Sequence, residues 1–242
     1  MATGAKVTTF LDDRRKALAL TFGRLLDYEF AVLEEHRRQM DASLRKAIQD
    51  MDARWIAARD KVKFNSDQHI DFTEEYFETS ELLPRLQWAS QLVLTYATFE
   101  HSLNQLCLTA KTRMGYPLTV AEFNQQQTKR DNGIVLAKRY LGKVAGIRKP
   151  FDTESWGFAL KINKLRNVLV HSNGEFYDPP TDKQEEVRLL FKDDPRLRVV
   201  LNLDGKPQRF RVTPELVHGA IHAMAQVVKD VCEAEPSTKT PI

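Results

Sequence analysis

The chain has 242 residues, 42% of them hydrophobic and 29% charged, which suits a globular protein with a full core and argues against disorder. Its formal net charge of +3 is too small to indicate nucleic-acid binding by itself. Two cysteines exclude a disulfide framework, and the sequence shows neither a signal peptide nor a run of about 20 apolar residues. We therefore expect a cytoplasmic protein without a membrane partner.

The first 80 residues are predicted to form a helical arm followed by a connector. Between Phe10 and Lys63 there is no proline and only one glycine, Gly23, and apolar residues recur at steps of three, four or seven. This pattern predicts a long amphipathic helix or a helical hairpin. Because acids and bases are interleaved on the other faces, we expect the arm to pack or dimerise rather than catalyse. The apolar positions are Leu18, Phe22, Leu26, Leu33, Met40, Leu44, Ile48, Met51 and Trp55.

Residues 64–80 are predicted to be a connector with one helical turn around 73–77, and a long helix follows from residue 81 to near Gly115. Its apolar residues alternate steps of four and three, which predicts one buried face. They are Leu92, Tyr96, Phe99, Leu103 and Leu106. Two shorter helices are expected next, one capped by Thr119 and one over residues 134–144.

Residues 155–174 combine helical periodicity with polar chemistry. Phe158, Ile162, Leu165 and Leu169 form an apolar stripe, and the helix should end near His171 because Ser-Asn-Gly follows. An arc on the opposite side of the helical wheel carries four polar side chains, with the arginine and the histidine at its two edges. They are Asn163, Arg166, Asn167 and His171.

The last third of the chain is predicted to hold one small hairpin and one helix. Asp204-Gly205 lies between two runs rich in β-forming residues, which predicts a two-stranded ribbon over about residues 197–212. The basic residues of this ribbon either contact phosphates or protect its edges from association. A helix is expected from Thr213, and the tail at 234–242 is expected to be disordered.

The motif from Arg166 to His171, Arg-Asn-Val-Leu-Val-His, resembles the R-N-x-x-x-H signature of the HEPN superfamily. Members of that superfamily are all-helical and often metal-independent endoribonucleases. The resemblance covers roughly Leu82 to Cys232, since the long helix resembles the first helix of many HEPN domains. It implies an all-α, HEPN-like helical bundle at 81–233 with the small hairpin inside it, preceded by the helical arm and connector at 1–80.

Metal-free RNA cleavage needs a base for the 2′-hydroxyl proton, an acid for the leaving oxygen, and cationic donors for the charge that builds on the phosphorane. We expect Arg166 to bind the scissile phosphate, His171 to transfer a proton, and Asn167 to orient either His171 or the substrate. By the HEPN resemblance, Glu100 is the acidic residue of the pocket. The predicted substrate-binding residues are Asn163, Lys164, Asn104 and Lys161.

The resemblance further implies RNA as the substrate, products with a 2′,3′-cyclic phosphate, and a composite site at the interface of a homodimer. Many HEPN ribonucleases are toxins or anti-phage effectors held in check by an antitoxin or a sensor protein. We expect no cofactor and no metal site, because we interpret the six histidines as scattered. Two alternatives stay open: a HEPN-like module that binds RNA, nucleotides or proteins without cleavage, and a structural helical protein in which the motif is coincidence.

Overall fold

The computed structural model describes residues 3–61, 73–114, 117–128 and 130–234, with side chains described from residue 23 onward except at 58–61 and 113–114. A helical turn at 73–77 and a π-helical turn, Glu78–Leu82, lead into the second long helix. A 3₁₀ turn, Lys149–Asp152, precedes the helix that carries the Arg166–His171 motif, called the motif helix below. The described chain is mostly helical, which confirms the predicted all-α class. Its elements are α1 (Thr3–Lys61), α2 (Leu83–Met114), α3 (Val120–Gln125), α4 (Gly133–Lys143), α5 (Glu154–Ser172), α6 (Asp182–Leu190), β1 (Leu197–Leu201), β2 (Pro207–Val212) and α7 (Pro214–Glu233).

The predicted arm is one unbroken helix, so the alternative of a helical hairpin is wrong. Leu26, Phe30 and Met51 of α1 are each 2% exposed and therefore belong to the core. The buried side chain of Gln91 on α2 donates a hydrogen bond to the carbonyl oxygen of Leu33 on α1 at 3.1 Å. The helix thus packs against its own chain. The predicted apolar positions Leu18 and Phe22 lie outside the described side chains.

Contacts between residues divide the chain into two compact units. Unit 1 comprises Met1–Ala31, Thr95–Ile162 and Ala220–Ile242. Unit 2 comprises Val32–Leu94 and Asn163–Gly219. The division at residue 80 that the sequence suggests stays a prediction.

Aromatic side chains form the centre of the core of unit 1. Trp156 lies edge-on to Phe151, with ring centroids 4.9 Å apart, and 6.3 Å from the ring centroid of Phe99. The ammonium group of Lys138 lies 5.6 Å from the Trp156 ring centroid and donates a hydrogen bond to the carbonyl oxygen of Phe151 at 3.1 Å. The predicted apolar face of α2 is confirmed, since all five of its residues are buried.

The hairpin of unit 2 has the predicted position and turn. β1 and β2 are antiparallel, with Leu197 opposite Val212, and Gly205 adopts φ 75° in the connecting turn, where a side chain would be strained. The segment after α5 joins this ribbon, because the amide of Phe210 donates to the carbonyl oxygen of Gly174 and the amide of Phe176 donates to that of Gln208, both at 2.8 Å. The end of the motif helix is therefore anchored to β2.

The motif helix α5 begins and ends as predicted. The hydroxyl of Thr153 accepts a hydrogen bond from the amide of Trp156 at 3.2 Å, which caps the first turn. Beyond Ser172, Asn173 and Gly174 have φ values of 53° and 72°, so the helix cannot continue. The predicted core stripe is partly corrected: Phe158 is only half-buried, because Trp156 and the small Ala159 fill that part of the core.

Candidate functional site

Arg166 and Asn167 form a fixed pair on α5. The guanidinium Nη1 of Arg166 donates a hydrogen bond to the amide oxygen of Asn167 at 3.0 Å, and both side chains are half-buried. An amide oxygen that receives the guanidinium restricts its rotamers without neutralising its charge. Asn167 therefore positions Arg166, whereas the sequence suggested that Asn167 orients either His171 or the substrate.

His171 lies in the last turn of α5 and is exposed. Among the described residues it has no hydrogen bond or ion pair, which leaves both ring nitrogens accessible. It lies five positions after Arg166, and at about 100° per residue the two side chains leave the helix about 140° apart. The two side chains do not contact each other through a hydrogen bond, and their placement at the two edges of one polar arc stays a prediction.

The two other predicted residues of unit 2 differ in environment. Asn163 is half-buried one turn before Asn167. Lys164 forms an exposed ion pair with Glu186 of α6, with 2.6 Å between Nζ and Oε1. Because exposed ion pairs exchange readily with solvent, this contact leaves Lys164 able to turn to a phosphate.

Glu100, Asn104 and Lys161 belong to unit 1. A methyl group added at Gly133, the first residue of α4, would lie 2.6 Å from Glu100 Oε1, so this carboxylate lies against the start of α4. A negative charge at a helix N-terminus is stabilised by the helix dipole, and the catalytic role predicted for Glu100 stays a prediction. Asn104 and Lys161 are exposed.

The basic residues upstream of the motif are largely engaged within unit 1. Arg139 forms an ion pair with Asp131 at 2.5 Å, and Arg148 donates to the carbonyl oxygen of Gly142 at 3.4 Å. Lys138 is held by Phe151 and Trp156 as described above. These basic residues, which give the sequence its local excess of positive charge, therefore mainly stabilise unit 1 through contacts within it.

Sequence reasoning missed a basic cleft in unit 2 that opens to solvent. Arg209 and Arg211 of β2 carried a visible signal, because they belong to the predicted basic ribbon. Arg85 carried none, since it comes from a segment more than a hundred residues away. The cleft is lined by Phe77, Glu81, Leu82, Arg85, Val200, Arg209 and Arg211.

The interpretation of the histidines as scattered is wrong at one place. His218 and His222 lie one turn apart on α7, an H-x-x-x-H spacing that was visible in the sequence and is typical of metal ligands. His218 Nδ1 lies 3.0 Å from Glu34 Oε1 within unit 2, and Arg37 Nη2 lies 2.7 Å from the same oxygen. Burial acts to raise the pKa of Glu34, but hydrogen bonds from Arg37 and His218 outweigh it and lower that pKa. The carboxylate thus already has Arg37 as a cationic partner.

Neither cysteine is suited to nucleophilic chemistry. Burial raises the pKa of Cys107 to about 12. Burial, with the nearby negative charge of Asp27, raises the pKa of Cys232 to about 11. Because the thiolate is the reactive form, both thiols are inert near neutral pH.

No helix within the described ranges has both the length and the apolar character that a bilayer crossing requires.

Comparison with protein-family models, with curated proteins and with solved structures gives no match in any of the three, so the function has to be inferred from the residues and their geometry.

Proposed function

We propose that this chain is a metal-independent endoribonuclease of HEPN type, which cleaves RNA by attack of the 2′-hydroxyl on the adjacent phosphate. The observation that carries the proposal is the fixed guanidinium of Arg166, on the same polar helix face as an exposed histidine with free ring nitrogens. Phosphate recognition and proton transfer are the two requirements of the reaction. Arg166 and His171 supply one each.

In this mechanism Arg166 binds two oxygens of the scissile phosphate and stabilises the charge that develops in the transition state. Asn167 holds the guanidinium through its 3.0 Å hydrogen bond, so less side-chain entropy is lost when the phosphate binds.

His171 transfers a proton between the reacting oxygens and its ring. Its exposure gives the substrate access, and its separation from Arg166 on one helix suits a pocket that a second copy of the chain completes. In such a two-fold dimer, Arg166 of one chain and His171 of the other approach one phosphate. Held in check by an antitoxin or a sensor protein, this activity suits a toxin or a defence effector.

The test is RNA cleavage by purified protein in EDTA, with end-group analysis of the products. Arg166→Ala and His171→Ala should each lower the rate at least about a hundredfold, since each removes a group that acts in the transition state. Arg188→Ala and His101→Ala are matched controls, because both side chains are exposed and lie outside the motif. Products should carry a 2′,3′-cyclic phosphate. Wild-type rates in both motif variants would refute the proposal, and loss of cleavage only on adding EDTA would indicate a metal enzyme.

A second candidate function, RNA or nucleotide binding without cleavage, is favoured by the basic cleft of unit 2. Arg85 and Arg209 of this cleft would hold phosphate groups whether or not the motif is catalytic. RNA binding that falls steeply with salt, combined with no cleavage by the wild-type chain, would support this function in place of the first.

A further inference from the structure

The cleft of unit 2 presents two arginines side by side on strand β2. Along this strand Phe210 and Val212 are buried, whereas Arg209 and Arg211 alternate with them and point to the other face. Residues two apart on one face lie about 7 Å apart, a separation over which two guanidinium groups can reach one anion. The pleat of the strand thus fixes a pair of cationic donors.

Arg85 of α2 adds a third guanidinium from a different element. Its Nε atom is buried and has no hydrogen-bond partner in the described part of the chain, and the whole side chain is only 19% exposed. Arg85 Nη1 lies 3.9 Å from Glu175 Oε1, a long ion pair that is too far for a hydrogen bond. A largely buried guanidinium whose Nε–H group has no partner is stabilised by a hydrogen-bond acceptor, and an anionic ligand can supply one.

The acidic residues around the cleft do not neutralise the positive charge of its arginines. Glu81 is its one acidic lining residue, and it forms an ion pair with Arg211 at 3.0 Å. Arg209 forms no ion pair or side-chain hydrogen bond with any residue in the described ranges. Two of the three cations, Arg85 and Arg209, are therefore available to an anionic ligand.

The rest of the lining is apolar. Phe77, Leu82 and Val200 contribute hydrocarbon surface, and Phe77 is 50% exposed. The cleft is open to solvent, so a phosphate group can approach its arginines from outside, with the attached part of the ligand against the exposed aromatic ring. Aromatic rings in such positions stack on nucleobases.

We infer that this cleft binds the phosphate of a nucleotide, either free or at the end of an RNA strand. Arg209 and Arg85 bind the phosphate oxygens, and the ring of Phe77 supports the base. The site uses none of the motif residues, and it stands whether or not the chain cleaves RNA. Its position on the strand that is hydrogen-bonded to Gly174 places it beside the segment that follows His171.

The experiment is calorimetric titration of the full chain with adenosine 5′-monophosphate, inorganic phosphate and adenosine. The monophosphate should bind, and Arg209→Ala should weaken it at least about tenfold through loss of a charged, bidentate donor. Phe77→Ala should weaken the monophosphate at least about fivefold while leaving inorganic phosphate unchanged. Arg188→Ala removes an exposed, ion-paired arginine of the same unit and should change affinity less than about twofold. Arg85 is tested as Arg85→Lys and not as Arg85→Ala, because lysine keeps a positive charge at this largely buried position and so preserves the fold.

Two RNA oligonucleotides of one sequence, one with a 5′-phosphate and one with a 5′-hydroxyl, then separate the sources of the phosphate. Preference for the phosphorylated strand indicates a strand end, and equal binding of both with tight monophosphate binding indicates a free nucleotide. The inference is overturned if adenosine binds as well as the monophosphate, if Arg209→Ala binds like the wild type, or if no phosphate compound binds at millimolar concentration. His171→Ala should keep monophosphate binding, which separates this site from the proposed cleavage.

Discussion

The amide oxygen of Asn167 accepts a hydrogen bond from the guanidinium of Arg166 at 3.0 Å, so two residues that are neighbours in sequence form one positioned unit. Because the pair lies on the half-buried side of α5, the arginine is held by its own helix before any ligand arrives. This contact makes the role of Asn167 directly testable.

Replacement of Asn167 by alanine should lower the RNA cleavage rate about 10- to 100-fold, since a loosened guanidinium is misplaced relative to the phosphate. The free energy of unfolding should fall by only about 1 kcal/mol, the usual net value of one hydrogen bond. Single-turnover cleavage and urea unfolding measure the two effects. Gln105→Ala, which removes a half-buried amide of α2, is the control. A wild-type cleavage rate in Asn167→Ala would refute the positioning role.

If the active site is shared between two chains, mixing the two inactive variants should restore cleavage. Arg166→Ala and His171→Ala each lack one group, and a mixed dimer has one complete site and one empty site. Random exchange of subunits should then give about a quarter of the wild-type rate. Cleavage assays after co-refolding of the variants measure this, and mixing Arg166→Ala with itself is the control. No recovery, in a mixture shown to contain mixed dimers, would contradict a site shared in this way.

Substitution of Gly133 by alanine should destabilise the protein. This residue has φ 56°, and the new methyl group would lie 2.6 Å from the carboxylate of Glu100. Together these effects should lower the free energy of unfolding by about 1–2 kcal/mol. Gly157 in α5 has open space around its Cα, so Gly157→Ala should instead raise stability by about 0.5–1 kcal/mol. Equal effects of the two substitutions in urea unfolding would contradict this explanation.

Glu100→Gln separates the structural and catalytic roles of Glu100. A charge at the start of α4 contributes about 0.3–1 kcal/mol, and its loss should lower stability by that amount. If Glu100 acts only on α4, the cleavage rate should change less than about twofold. A large loss of cleavage with unchanged stability would support the catalytic role predicted from the sequence.

The ion-pair cluster around Glu34 should contribute to the pH dependence of stability. Because the pKa of Glu34 is lowered in the folded chain, its contribution is present at neutral pH and is lost as the pH falls through the folded pKa. Glu34→Gln should therefore cost up to about 1 kcal/mol at neutral pH and progressively less as the pH falls through the folded pKa of Glu34. Urea unfolding at several pH values measures the difference. A cost that is the same at every pH value would show that the carboxylate charge does not matter.

The thiols of Cys107 and Cys232 should resist alkylation in the folded protein. With pKa values of about 12 and 11, less than about one thiol in a thousand is ionised at pH 8. Iodoacetamide labelling followed by mass spectrometry should therefore be rapid only after unfolding in urea. Fast labelling of either folded thiol would contradict its buried environment.

The structure explains why some sequence predictions were right and others incomplete. The end of α5 and the turn at Asp204-Gly205 are decided by residues within a few positions, so local patterns find them. Periodicity could not decide whether α1 bends into a hairpin, because both forms have the same apolar pattern. Similarly, the partner of Lys164 on α6 lies 22 residues away and has no local signal.

The sequence by itself determined the helical class, the hairpin and the presence of Arg166 and His171 on one polar helix face, because periodicity and turn chemistry are local properties of the chain. Only the tertiary structure decided that Asn167 holds Arg166, that Glu100 lies at the start of α4, and that Arg85 joins Arg209 and Arg211 in one cleft. Side-chain rotamers and contacts between distant segments depend on how the helices and the hairpin pack, and no local pattern carries that information.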